Sequence, residues 1–172
     1  MQYGLQMYTL RQLTDKHMAQ TLEQVAQMGY TGVELAGFGN LTPDEMVQAV
    51  RRNRLTVISA HVGYQDLQAD AEKWIRIAGE LGMTRITLPW MDPERLSADN
   101  IEATADMING IQKTLAASGI ELSYHNHDFE FVDDRYARLM ALCPALKFEL
   151  DTYWVKFAGY DPAALMAQYA DR

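Results

Sequence analysis

The segment Tyr124–Phe131, YHNHDFEF, packs two histidines, an asparagine, an aspartate and a glutamate directly after the apolar run GIELS. Half of the chain's 4 histidines lie in it. Comparable groups sit at the ends of other short apolar runs: Glu34 in GVELAG, His61 in VISAHVG, Trp90 in ITLPWM, and Asp151 and Trp154 in FELDTYW. Imidazole and carboxylate donors without thiolates suit a divalent cation such as Mn, Mg, Co or Zn. Such groups beside an ion can move a proton next to a carbonyl while the ion takes up the developing negative charge. Tyr64, Trp90 and Trp154 suit the apolar face of a sugar ring.

Taken singly, most of these residues have a plainer role. Glu34 can cap a helix or pair with an arginine, His61 can be a satisfied core histidine, and the tryptophans can close the top of a core. Asp151 is harder to explain away, because a carboxylate at the end of an apolar strand needs a partner or a cation. Their recurrence at the same end of successive strands argues for a shared mouth.

The elements that must position these groups are a repeating strand–helix alternation. Apolar strands are expected at Leu5–Thr9, Gly32–Ala36, Leu55–Val62, Arg85–Trp90, Ile120–His125 and Phe148–Trp154, each followed by a segment of helical periodicity. Alternate strand residues share a face. That puts Ser59 with His61, Ser123 with His125 and His127, and Glu149 with Asp151 and Tyr153. Helix signals are clear in LTPDEMVQAV, with Thr42 as N-cap, Pro43 at the first helical position and Glu45 completing a capping box. A second helix is expected from Ser97 to Gly119, a third along QDLQADAEKWIRIAGELGM, and a last one opening on Asp161 and Pro162. Repeated strand–helix units predict a parallel sheet clothed by helices. A doubly wound sheet would carry a glycine-rich loop after its first strand, where this chain has MYTLRQL. Polar residues at many strand ends favour the (β/α) barrel.

Composition narrows the function. The 172 residues are 48% hydrophobic and 22% charged, with a net charge of -8, so a phosphate backbone is a poor partner. No apolar run matches a membrane span, and the N-terminus lacks signal-peptide features, so a cytoplasmic protein is expected. The single cysteine, Cys143, lies in LMALCPAL and reads as a buried small hydrophobe. Neither a GxSxG elbow, an HExxH helix nor a Walker loop is present.

In order along the chain, GLQMYTLR, MGYTGVELAG, SAHVG, LGMTRITLPW, SYHNHDFEF and FELDTYW resemble the xylose isomerase-like TIM barrels, the sugar phosphate isomerases/epimerases. YHNHDFEF with LDTYW is nearer the inosose dehydratase-like branch. The resemblance implies an α/β fold, a (β/α) TIM barrel, with residues 1–172 forming one domain of about six of the eight strand–helix units. It implies a divalent metal, manganese first among Mn, Mg, Co and Zn, and a keto-sugar or keto-polyol substrate. Asp151 matches the metal-ligating aspartate of strand six, and His61 the histidine of strand three. Glu130 resembles a substrate-contacting glutamate after strand five. Across the site, Asp151 and His125 are expected at the metal and His127 and Glu130 in proton transfer, with His125 and His127 interchangeable between those roles. Glu34, His61, Trp90 and Trp154 are expected to hold substrate.

Two departures qualify that picture. Ser123 falls near the position of the strand-five glutamate, and Trp154 stands where a histidine often follows the strand-six aspartate. The family's strand-seven histidine and strand-eight glutamate also have no counterpart, so the chain reads as a C-terminally shortened barrel. It is expected to have little isomerase activity alone and to form a homo-oligomer that covers the open edge. Alternatives from other classes are an inosose dehydratase-like lyase, an inactive carbohydrate-binding fragment, and an apurinic endonuclease-like nuclease. The acidic charge argues against the last.

Overall fold

The computed structural model describes residues 3–172. In chain order its strands are β1 (Gly4–Gln6), β2 (Gly32–Ala36), β3 (Thr56–His61), β4 (Arg85–Leu88), β5 (Glu121–His125) and β6 (Lys147–Glu149). Its α-helices are α1 (Arg11–Gln27), α2 (Pro43–Arg52), α3 (Tyr64–Ala69), α4 (Ala71–Leu81), α5 (Ile101–Ala116), α6 (Arg135–Leu142), α7 (Thr152–Phe157) and α8 (Pro162–Gln168). The chain forms two compact units, one of Met1–Val62 with Glu72–Ile86 and one of Gly63–Ala71 with Thr87–Arg172.

In the first unit β1, β2 and β3 pair in parallel, with Gln6 opposite Glu34. Val33, Leu35 and Val57 are buried, as are Met18, Leu22 and Val25, which recur at helical spacing on α1. The register between β2 and β3 slips at Val33/Glu34: Val33 pairs with Val57, but Glu34 pairs with Ser59. The extra residue is Ile58, a β-bulge. Gly4 and Gly32 make room for it, because a Cβ at either position would collide with the Ile58 Cδ1 methyl.

In the second unit β5 and β6 pair in parallel, with His125 opposite Glu149. Ile101, Ala105, Ile108 and Leu115 form the buried stripe of α5.

Local chemistry sets the boundaries. α2 opens on the expected capping box: Thr42 Oγ1 accepts from Glu45 N–H at 3.3 Å and Glu45 Oε2 from Thr42 N–H at 2.8 Å. α8 opens on Asp161, whose Oδ1 accepts from Ala163 N–H at 3.0 Å. Elsewhere side chains end strands earlier than periodicity suggests. β1 covers Gly4–Gln6 rather than Leu5–Thr9, because the Gln6 side chain accepts the Tyr8 N–H and turns the chain into a 3-10 helix at Met7–Leu10. β6 stops at Glu149 rather than running to Trp154, because Asp151 caps α7. The helix expected over 65–83 is two, broken at Asp70, where φ is -159° and ψ is 78°. Ser97 closes a 3-10 turn (Pro93–Leu96), and α5 starts only at Ile101.

Candidate functional site

Each unit has its own polar cluster at the C-terminal ends of its strands, where parallel α/β folds place their chemistry. In the first unit the centre is Glu34 on β2. Its Oε1 accepts from Gln6 Nε2 at 2.9 Å and lies 3.2 Å from His61 Nε2, while Oε2 accepts from Ser59 Oγ. Gln6 Nε2 also lies 3.2 Å from His61 Nδ1. The bulge in β3 makes this possible by turning Ser59 and His61 toward Glu34. Both expected residues of this unit, Glu34 and His61, are therefore together. Gln6 and Ser59 join them, and Gln6 was not among the residues the sequence singled out.

The second unit's cluster is built on the β5–β6 pair. His125 Nδ1 lies 3.3 Å from Glu149 Oε1, and its Nε2 lies 4.0 Å from Asp151 Oδ2. One imidazole thus stands between two carboxylates. Glu149 is supported from below by Thr87 on β4, whose Oγ1 donates to Oε2 at 2.7 Å and lies 2.7 Å from Ser123 Oγ. Ser123 is fully buried in this hydroxyl layer, beneath His125. Glu149 was expected only to share a face with Asp151. The sign that could have found it is the recurrence of a short polar or carboxylate side chain inside successive strands, at Thr87, Ser123 and Glu149.

Asp151 sits in the turn after β6. Its Oδ1 accepts from Trp154 N–H at 3.0 Å, and its backbone N–H donates to Asn126 Oδ1 at 2.9 Å. Asn126 Nδ2 in turn donates to the Asp151 carbonyl at 3.3 Å. Asn126 is fully buried.

Glu130 has a different setting from the one expected of a group that touches substrate. It is 0% exposed. Tyr124 Oη donates to Oε1 at 2.8 Å and His127 N–H donates to Oε2 at 2.8 Å. Burial raises its pKa, and these two bonds pull the other way. Burial and the neighbouring Glu130 push the Tyr124 hydroxyl well above its ordinary value. Glu130 thus ties the turn after β5 to the strand itself.

His127 is set in an aromatic wall. Its ring stacks on Phe129 with centroids 5.8 Å apart, meets Trp154 at 5.5 Å and meets the edge of His125 at 4.9 Å. Trp90 continues the wall through Phe129 at 6.5 Å and is 45% exposed. His125, His127, Trp90, Trp154 and Asp151 are therefore neighbours.

The donor chemistry can be tested against a metal ion. Two ligands of a tetrahedral zinc, each about 2.0–2.1 Å from it, stand about 3.3 Å apart. The His125–Glu149 separation of 3.3 Å matches that figure. The Asp151 approach of 4.0 Å is wider, and it faces the other ring nitrogen. His125 and Glu149 thus fit as a ligand pair at Nδ1, whereas Asp151 faces Nε2 and would serve an ion bound on that side of the ring.

Residues 22–172 match the family described as xylose isomerase-like TIM barrel. The chain belongs to this family. Its α/β fold is that of the (β/α) barrel, with six strand–helix units. Among solved structures of this fold, a sugar phosphate isomerase/epimerase from Parabacteroides distasonis ATCC 8503 is similar at 25% identity and a TM-score of 0.77, over 99% of this chain and 72% of that one. The probable 3-DHS dehydratase AsbF from Bacillus anthracis is similar at 16% identity and a TM-score of 0.77, over 99% and 70%. The IolI protein, solved with a bound zinc atom, is similar at 9% identity and a TM-score of 0.71, over 96% and 68%. No curated protein sequence matches the chain. Among the described residues no helix is long and apolar enough to cross a membrane.

Proposed function

We propose that this xylose isomerase-like barrel is a divalent-metal-dependent isomerase or epimerase of a keto-sugar or keto-polyol. It would work by proton transfer beside a carbonyl. The observation that carries the proposal is His125 standing between Glu149 and Asp151 at the ends of β5 and β6. The zinc of the IolI structure supports a metal on this fold. Manganese is our first choice of ion here, with magnesium, cobalt and zinc as the others.

His125 would hold the metal, with Asp151 beside its Nε2 and Glu149 beside its Nδ1. When bound, the metal polarises the substrate carbonyl and lowers the cost of removing the proton beside it. His127 is the group we assign to carry that proton, since its ring lies against His125 and is oriented by Phe129 and Trp154. Glu130 helps by accepting the His127 N–H, which fixes the backbone that carries the ring. Trp90 and Trp154 offer apolar faces to a sugar ring. In the first unit, Glu34, His61 and Gln6 form a hydrogen-bonding cluster suited to sugar hydroxyls.

A dehydratase reading shares the first proton transfer and is favoured by the likeness to the probable 3-DHS dehydratase. The net charge of -8 weighs against a nucleic-acid substrate. We assign the protein to the cytoplasm.

The test is proton exchange. The purified chain, loaded with manganese or zinc, is incubated in D2O with a panel of keto-sugars and inososes and followed by NMR. Deuterium should enter at the carbon beside the carbonyl, and EDTA should stop it. A folded, metal-loaded chain that exchanges none of the panel would overturn the proposal in favour of a binding role.

A further inference from the structure

The β5–β6 ladder ends at His125 opposite Glu149. Beyond it the two backbones part, and β6 turns into α7 through Leu150 and Asp151. The side chain of Asn126 bridges this gap. Its Oδ1 accepts from Asp151 N–H at 2.9 Å and its Nδ2 donates to the Asp151 carbonyl at 3.3 Å. A primary amide carries one acceptor and one donor side by side, like a peptide group. Asn126 therefore adds one surrogate rung to the ladder. The Asn126 side chain is fully buried, so water does not compete at its end of the rung.

The consequence falls on the Asp151 carboxylate. Its backbone is held at N–H and C=O by Asn126, and its Oδ1 is held by Trp154 N–H at 3.0 Å. These contacts leave Oδ2 as the oxygen directed at His125. We infer that Asn126 is the positioning residue of this site, and that it sets Asp151 to offer Oδ2 as a single-oxygen ligand beside His125. This rests on the proposed role of Asp151 at the metal. Aspartate in place of Asn126 would lack the donor for the Asp151 carbonyl, and glutamine would be one methylene too long.

The test is zinc affinity by chelator competition on the purified full chain, for D151A, N126A and the double variant. Residues that orient a ligand typically change metal affinity about 10- to 100-fold. N126A and D151A should each weaken zinc binding about tenfold or more. The double variant should be no weaker than D151A within about twofold, because Asn126 acts through Asp151. The d–d spectrum of the cobalt-loaded N126A protein should shift toward that of D151A. Leu115→Ala, which opens a cavity under α5, should lower the melting temperature and leave zinc affinity unchanged. If N126A does not fold, N126S removes the same two bonds and carries the same expectation. Unchanged affinity in N126A with a loss in D151A would overturn the clamp alone, as would losses that add in the double variant. Unchanged affinity in D151A would remove Asp151 from the metal and the clamp with it.

Discussion

Glu149 Oε1 lies 3.3 Å from His125 Nδ1, across the last paired position of β5 and β6. The contact is held from both sides, by the strand register and by the Thr87 hydroxyl on the other carboxylate oxygen. A side chain fixed this way needs little reorganisation to bind an ion. E149Q keeps the shape and the bond from Thr87 but loses the charge. It should fold like the parent and bind zinc at least about tenfold more weakly, measured by chelator competition. Equal affinity would show that this carboxylate is not a ligand.

Asp151 serves two masters, and two substitutions separate them. D151N keeps a good N-cap for α7, so its stability should stay within a few tenths of a kcal/mol, about 0.5 at most. D151A loses the cap and should cost about 1 kcal/mol in urea unfolding. Both should reduce metal content by elemental analysis. Full metal occupancy in D151N would confine Asp151 to its structural role.

Glu130 yields a prediction with a sign. Burial raises its folded-state pKa, so the protonated form favours folding. That stability is complete below the unfolded-state pKa and is lost as pH rises through the higher folded value. E130Q mimics the protonated acid: its carbonyl can accept from His127 N–H, and its amide can donate to the Tyr124 oxygen. Urea unfolding of both proteins from pH near the carboxylate range up to neutrality should show E130Q gaining on the parent as pH rises. A difference independent of pH would contradict the assignment. E130A, which strands two buried donors, should cost about 2–4 kcal/mol.

Cys143 is fully buried, with its Sγ 3.7 Å from the Ala105 carbonyl. Burial pushes its pKa up to about 11. The native protein should resist thiol reagents near neutral pH and react only on unfolding. Labelling by mass spectrometry against urea should follow the unfolding curve; fast labelling of the folded chain would mean that α6 opens locally.

Much of this architecture could be read in the residues, because its signals are local. Thr42 with Glu45, and Asp161 with Pro162, mark helix starts through contacts only two or three residues apart. His125 and Asp151 were recognisable because polar groups at strand ends are costly without a task. What escaped depends on side chains acting out of their usual class. Gln6 ends β1 by bonding to the backbone, and Asp151 ends β6 in the same way. Glu149 was hidden because its partner is set by strand register. Glu130 looked available for substrate, yet the 3-10 turn over Phe129–Asp134 folds it inward onto Tyr124 and His127. No local pattern separates an inward-facing carboxylate from an outward one.

The bulge at Ile58 gives β3 one residue more than its partner strand uses, so the first cluster is sensitive to where along the strand a residue is lost. Val33 pairs with Val57 and Glu34 with Ser59, so loss of the Ile58 codon would close the strand into a regular ladder with Ser59 still opposite Glu34 and His61 still opposite Ala36. Loss of the Ala60 codon would instead bring His61 opposite Leu35, on the face away from Glu34. The chemistry of this strand is written in its spacing: an in-frame deletion at Ala60 would act like a substitution in the cluster without changing any polar residue, and the same deletion at Ile58 would not.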